Sequence, residues 1–238
     1  MHGRSLFRGW NRLAAPASAL LALWPALAGA APPQRVEVAY EIARAGSVIA
    51  EVSDRLEHDG KSYRLSETWK GRGVYALRGE AKRSSRGSIG ADGLRPLEFE
   101  DQRSGRDTAR ARFDWGAKTL TLQHKGAAET RPLAAGTHDR LSFLYGFAFN
   151  PPGAQPVAYT VADGKGVTAY IYQAAGRERL KTQAGEFDAL KLIRRKDGAQ
   201  DRGTEIWLAV DRHYLPVRIV VTEKDGTRLD QVAVRIAQ

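Results

Sequence analysis

Residues 204–221 read TEIWLAVDRHYLPVRIVV, two apolar runs of alternating phase that meet at Asp211, Arg212 and His213. The alternation in EIWLAV, and again after Leu215, has the two-residue period of β-strands. Strands this close in sequence must reverse between them. Asp211 can hydrogen-bond its own turn backbone, and Pro216, which cannot donate to a ladder, opens the second strand or sits at an edge. The competing reading is a hydrolase in which Asp211 orients His213 as a general base. Such a pair needs a substrate-facing imidazole and a third partner, which neighbours at a strand exit do not supply by themselves. The stretch therefore predicts a β-hairpin with Trp207 on one face of its first strand.

The same period runs through most of the chain. In VEVAYEIA, Val36, Val38, Tyr40 and Ile42 share a face. SVIAEVSDRLE continues the pattern, the HDG at 58–60 is a turn, and KSYRLSETWK returns with Tyr63, Leu65 and Trp69 in phase. These segments predict an antiparallel meander. Further alternating segments follow, from LEFEDQRS and DTARARFDW to RLDQVAVRI, punctuated by glycine turns. Short strands at this spacing predict an all-β, mainly antiparallel fold: a single sheet curled into an open or closed barrel. AKRSSRGS at 81–88 is polar and basic, and reads as a mobile loop. In THDRLSFLYGFAFN, Leu141, Leu144 and Tyr145 fall at helical spacing, with Thr137 or Asp139 as N-cap and Pro151-Pro152 as a stop, which predicts one short helix. Its aromatics, Tyr145 among them, either fill a core or plug a ligand cavity.

The first thirty residues carry Arg4, Arg8 and Arg12 ahead of an apolar run, then Ala28-Gly29-Ala30. That is the pattern of a cleaved signal peptide, and Pro16 and Pro25 break a stretch already short of the ~20 residues a membrane span needs. Residues 31–238 are then expected to form a single domain exported to the periplasm. The chain has no cysteine, so neither disulfides nor thiol chemistry enter. Its formal charge is +10, three units of which belong to the leader arginines, and this favours anionic partners. Outside the cytoplasm those are anionic lipid, lipopolysaccharide or an envelope protein rather than nucleic acid.

Chemistry-bearing motifs are sparse. Lys70-Gly71-Arg72-Gly73-Val74-Tyr75-Ala76 matches a dinucleotide fingerprint by letter but lacks the parallel strand and helix it requires. His58, His124, His138 and His213 stand apart, without metal-ligand spacing. No cofactor and no metal are expected. The arginines are more informative. In DTARARFDW, Arg110 and Arg112 share one strand face while Ala111, Phe113 and Trp115 share the other. The leading expectation is a non-enzymatic, monomeric protein that binds or carries an amphipathic anionic envelope molecule, a lipid or glycolipid. Tyr40, Trp69, Trp115 and Trp207 would line an apolar concavity, Tyr145 would plug it, and Arg110 and Arg112 would meet headgroups at its rim. Arg78, Arg177, Arg179, Arg194, Arg195 and Lys196 could join that rim or a solvated face. The alternative is an envelope-assembly or protein-interaction module with a filled barrel. A pocket of roughly 300 Å³ or more favours the ligand, a filled interior the protein partner.

Tyr40 and Gly46, ADGLRPLEF, HDRLSFLY, LKTQAGEFDALKL and EIWLAVDRHYLPVRI, taken in order, resemble the exported bacterial proteins of the domain-of-unknown-function 3108 family. The resemblance spans nearly all of residues 31–238. It implies an exported, β-rich, curled sheet and brings no catalytic residues. The general look is similar to the periplasmic lipoprotein carriers, whose open half-barrels hold acyl chains under helical lids, although this sequence has less helix.

Overall fold

The computed structural model describes residues 32–196, 198 and 201–238, so the leader expected at 1–30 lies outside the described residues. Alternation becomes one sheet of fifteen strands. In chain order these are β1 (Arg35–Arg44), β2 (Ser47–His58), β3 (Ser62–Gly71), β4 (Glu80–Gly90), β5 (Gly93–Arg103), β6 (Ala109–Asp114), β7 (Thr119–His124), β8 (Ala127–Pro132), β9 (Thr137–Asp139), β10 (Val157–Ala162), β11 (Val167–Thr182), β12 (Gly185–Arg194), β13 (Gly203–Ala209), β14 (Leu215–Thr222) and β15 (Arg228–Ala237). One helix, α1 (Arg140–Gly146), separates β9 from β10. The spatial order is β8-β7-β6-β5-β4-β3-β2-β1-β15-β14-β13-β12-β11-β10-β9. Neighbours are antiparallel, except that β9 runs parallel to β10. The first and last strands pair with each other and join two halves of the sheet, whose edges are β8 and β9. The fold is the mainly antiparallel curled sheet with one short helix that the sequence predicts, and it is open.

The opening segment is a hairpin. β13 and β14 pair from Gly203–Thr222 to Ala209–Leu215, and Asp211 and Arg212 form the exposed reversal between them. His213 and Tyr214 both take positive φ, 53° and 55°, a conformation that side chains with a Cβ rarely adopt.

The curl closes around α1. Asp139 caps the helix by accepting from the backbone N–H groups of Leu141 and Ser142, while the Ser142 hydroxyl accepts from the Asp139 N–H. The helix touches β3, β4 and β5 from one half and β10 and β14 from the other. Leu141 and Tyr145 enter one cluster with Val38, Leu56, Leu65 and Phe99. Phe143 and Phe147 enter a second with Tyr172, Leu192, Ile206 and Leu208. Each fully buried aliphatic or phenyl side chain contributes about 1.5–3 kcal/mol relative to exposure. Gly164, in the β10–β11 turn, seats the edge: at φ +81° its missing Cβ would fall 2.6 Å from the Arg110 nitrogen of β6.

Two segments depart from the sequence reading. AKRSSRGS is not a loop but the body of β4, paired along its length to β3 and β5. Its inward residues are Arg83, Ser85 and Gly87, so apolar alternation is missing there although the strand is central. β8 offers no pattern because all six of its residues are exposed at the sheet edge. A further feature lies on the outer face. Gly176, at φ +107°, and a register shift between Ala174 and Arg177 bend β11, so that this strand also contacts β15.

Candidate functional site

Strand alternation separates the residues that the sequence groups into one concavity. Tyr40 and Tyr145 do come together at the sealed centre, with hydroxyls 3.4 Å apart. Tyr40 donates to the Pro216 carbonyl at 2.7 Å and Tyr145 to Asp54 Oδ2 at 2.8 Å. Trp69 is half-buried against the same core. Trp115 sits at the end of β6, its N–H donating to the Pro96 carbonyl at 2.7 Å and its ring 4.6 Å beneath the Arg95 guanidinium. Trp207 is buried on the other face of β13 from Ile206 and Leu208, under Lys191 and Arg218 at 4.7 and 4.9 Å, with its N–H bonded to Glu178. Arg110 and Arg112 are exposed on the outer face of β6. Arg110 pairs with Glu100 at 2.8 Å and Arg112 lies 3.7 Å from Glu98, both carboxylates on β5.

The inner face carries a charged row that the sequence does not announce. Register places Asp54, Glu67, Arg83 and Asp101 side by side across β2 to β5. Arg83 pairs with Glu67 and lies 3.5 Å from Asp101, which Arg103 also clamps at 2.8 Å. Burial, and then the neighbouring Glu67, hold the Asp54 carboxyl well above the usual carboxylate range. Asp139 accepts from the Ser85 hydroxyl at 2.6 Å, yet burial pushes its carboxyl up to about 6. Burial likewise pushes the neighbouring His138 imidazole down to about 4. This network ties α1 to β2 and β4. Its Asp101–Arg103 end lines an open hollow of about 500 Å³, but Asp54 and Asp139 are closed to solvent, 2% and 0% exposed, so their evident role is to fix the helix in register.

One place where polar groups meet an open surface is a cleft of about 200 Å³ between α1 and strands β10 to β14. Its wall is apolar, built by Phe143, Tyr172, Ile206 and Ile219. Three arginines stand around it. Arg140 opens α1 and lies 3.7 Å from Asp163, and Arg202 pairs with Glu223 at 3.0 Å. Arg194, at the end of β12, differs. Its guanidinium carbon rests 4.5 Å from the Tyr170 ring centre and no carboxylate among the described residues reaches it, while its Nε, like that of Arg202, is buried without a hydrogen-bond partner. Burial, and then Arg83, hold the Arg140 guanidinium below the usual arginine range. The cleft thus combines an apolar wall with cations that are only partly neutralised, which suits a molecule with an acidic group beside an apolar part.

A wider hollow of about 560 Å³ lies at the other end of the sheet, beside Trp115 and Leu133. Its arginine, Arg95, is exposed and stacked on Trp115, so its cations do not converge as the cleft's do. The core under α1 holds fully buried side chains, among them Tyr40, Tyr145, Leu56 and Phe99. The residues expected to carry binding are not those around the cleft, whose Arg194 the sequence shows only as part of an unplaced basic run. Among the described residues no group of His, Asp and Glu could hold a metal ion, and no helix is long and apolar enough to cross a membrane.

A family model described as "Protein of unknown function (DUF3108)" matches residues 35–232. No curated protein matches the chain. Among solved structures, the beta-barrel-like protein of domain of unknown function DUF1849 from Brucella abortus matches with a TM-score of 0.56 at 10% identity, covering 86% of this chain and 98% of that one. A candidate exported protein with YmcC-like fold from Bacteroides fragilis matches at 0.40 and 12% identity, covering 85% and 95%. A candidate lipoprotein from Parabacteroides distasonis matches at 0.37 and 11% identity, covering 87% and 97%. The Brucella protein shares the barrel-like fold.

Proposed function

The chain belongs to the DUF3108 family, and we propose that it is a binding protein for an anionic amphiphile, taken acid-first into the arginine-lined cleft. The observation that carries this reading is Arg194: a guanidinium set against an apolar wall, with no carboxylate partner among the described residues. A partly desolvated cation is costly unless an opposite charge meets it. A phosphate or carboxylate matches the planar fork of the guanidinium, and Arg140 and Arg202 stand close enough to share the charge. At about 200 Å³ the cleft is smaller than the ~300–1,000 Å³ of most small-molecule pockets, which favours a single short apolar segment over a two-tailed lipid. The leader pattern in residues 1–30 supports an encounter outside the cytoplasm.

Octyl phosphate is a probe with both required parts. Calorimetric titration should show saturable binding that neither inorganic phosphate nor octanol reproduces. Arg194→Ala should weaken it by about 1.5–3 kcal/mol, the range for hydrogen bonds to charged groups. Binding of octyl phosphate by the variant as tightly as by the wild type would remove the cleft from the account. The exposed edge strand β8 favours a second reading, a module that pairs with another protein by strand addition. That reading predicts no saturable binding of the probe.

A further inference from the structure

Antiparallel order alternates the turns between the two ends of the sheet, so the β5–β6, β7–β8 and β10–β11 connections share one end although they are far apart in the sequence. The curl then brings them together. Gly164 holds the β10–β11 turn against the start of β6, because no side chain could stand where its missing Cβ falls 2.6 Å from the Arg110 nitrogen. Each turn is also fixed locally. The Arg106 N–H donates to the Arg103 carbonyl at 3.0 Å. Lys125 and Gly126 alone join β7 to β8, at φ 53° and 74°. The Asp163 carboxylate accepts from the Lys165 N–H at 3.1 Å.

Between these turns lies the open hollow of about 500 Å³, and its lining is unlike that of the cleft. No apolar side chain is among the described residues around it. Arg106, Lys125 and Lys165 bring three exposed cations from three different turns, and no carboxylate among the described residues pairs with any of them. Two acids share the hollow. Asp101 is already held by Arg83 at 3.5 Å and by Arg103 at 2.8 Å, which leaves Asp107 alone against the three cations. His124 adds a ring whose Nδ1 is buried without a hydrogen-bond partner, and in the tautomer that carries a proton there the ring can donate. Like charges held on fixed turns repel one another, so a ligand with several negative charges gains from all three at once, with little ordering cost on the protein.

We infer that this hollow is a second anion site, for a polar group that carries adjacent phosphates. The cleft suits an amphiphile because it has an apolar wall, whereas the hollow offers charge and hydrogen bonds alone. One carboxylate has two oxygens to share among three cations, but neighbouring phosphates present enough acceptors for a guanidinium and two ammonium groups together. None of Arg140, Arg194 and Arg202 lines the hollow, so the site stands or falls apart from the cleft. The same phosphates occur free, on a phosphorylated solute, or on the headgroup of an envelope lipid.

Pyrophosphate is the probe of this shared chemistry, titrated calorimetrically into protein that begins at Ala31, which contains every strand of the sheet. Wild type should bind it saturably, more weakly at high salt, and at least tenfold more tightly than inorganic phosphate. Lys125→Gln/Lys165→Gln should weaken pyrophosphate at least tenfold. Because both side chains are exposed, the variant should keep the wild-type Tm and octyl phosphate affinity, while Arg194→Ala should do the reverse, losing octyl phosphate and keeping pyrophosphate. The ring resonances of His124 should move when pyrophosphate is added, and those of His58 and His213, at the opposite end of the sheet, should not. Vesicles containing phosphatidylinositol 4-phosphate separate the two sources, and either result keeps the site: a headgroup ligand predicts cosedimentation that pyrophosphate reverses, a free one predicts protein that stays in the supernatant. Wild type without saturable binding, or His124 resonances that pyrophosphate leaves unmoved, would overturn the inference. So would a double variant that binds like wild type, or equal affinity for inorganic phosphate, each of which would mean an adventitious ion only.

Discussion

Arg110 on β6 and Arg194 on β12 have the same side chain on strands of one sheet, and their surroundings are opposite. Arg110 faces solvent, and the neighbouring strand places Glu100 2.8 Å away, with Arg112 and Glu98 beside them as a second rung. Arg194 lies against Tyr170 at the end of its strand, next to an apolar cleft and with no carboxylate among the described residues paired to it. Arg83 forms a third case, buried between Glu67 and Asp101. Exposed pairs contribute little, a buried pair cannot lose one partner without leaving a buried charge, and a cation left unmatched beside apolar surface is the one with binding capacity to spare.

Removing each kind of cation, or what it covers, should separate these roles. Arg83→Met leaves Glu67 and Asp101 without their shared partner, and unfolding in urea should show a loss of about 3–5 kcal/mol. Trp207→Ala empties the site beneath Lys191 and Arg218 on the outer face, and should cost roughly 3 kcal/mol in the same assay. A loss below about 1 kcal/mol in either case would mean that the buried row or the outer face is not packed as described.

The His138–Asp139 pair gives a test by pH. Burial raises the folded pKa of Asp139 to about 6 from its ordinary value of 3.8, so its contribution to stability is present in acid and lost as pH rises toward 6. The folded pKa of His138 is lowered to about 4 from 6.5, so its contribution is present above 6.5 and lost as pH falls toward 4. The two slopes oppose each other in one window. Asp139→Asn keeps a capping side chain but deletes one slope, so the stability of the variant relative to wild type should rise between pH 4 and 6. A relative stability that is flat or falling with pH would place the Asp139 pKa near its ordinary value.

The outermost pairs should matter least. Arg110→Ser/Arg112→Ser should change stability by less than about 1 kcal/mol. His213→Asn, a residue that tolerates left-handed backbone, should shift stability by no more than about 1 kcal/mol and leave octyl phosphate binding unchanged. Loss of binding in this last variant would return the β13–β14 turn to consideration as a site.

What could be read from the sequence follows from where the side chains face. β1 to β3 and the β13–β14 hairpin alternate because one face of each is apolar, and Asp139 announces the helix by its position before an apolar run. β4 was hidden because its inward residues are Arg83, Ser85 and Gly87, and these are comprehensible only beside Glu67, Asp101 and Asp139. The phase of Arg110 and Arg112 correctly marks an exposed face, but phase says nothing about the glutamates of the next strand. The cleft was illegible for the same reason. Its parts come from α1 and from strands β10 to β14, and only pairing order brings Arg140, Arg194 and Arg202 to one place.

The central claim is that the unmatched arginine, and not the paired ones, carries binding. The direct measurement is the affinity of octyl phosphate for Arg194→Ala beside that for Arg110→Ser/Arg112→Ser, both referred to wild type at one ionic strength. The account predicts at least a tenfold loss in the first, roughly 1.4 kcal/mol or more, and wild-type affinity in the second. Equal affinity in both variants, or a loss confined to the β6 double variant, would contradict it.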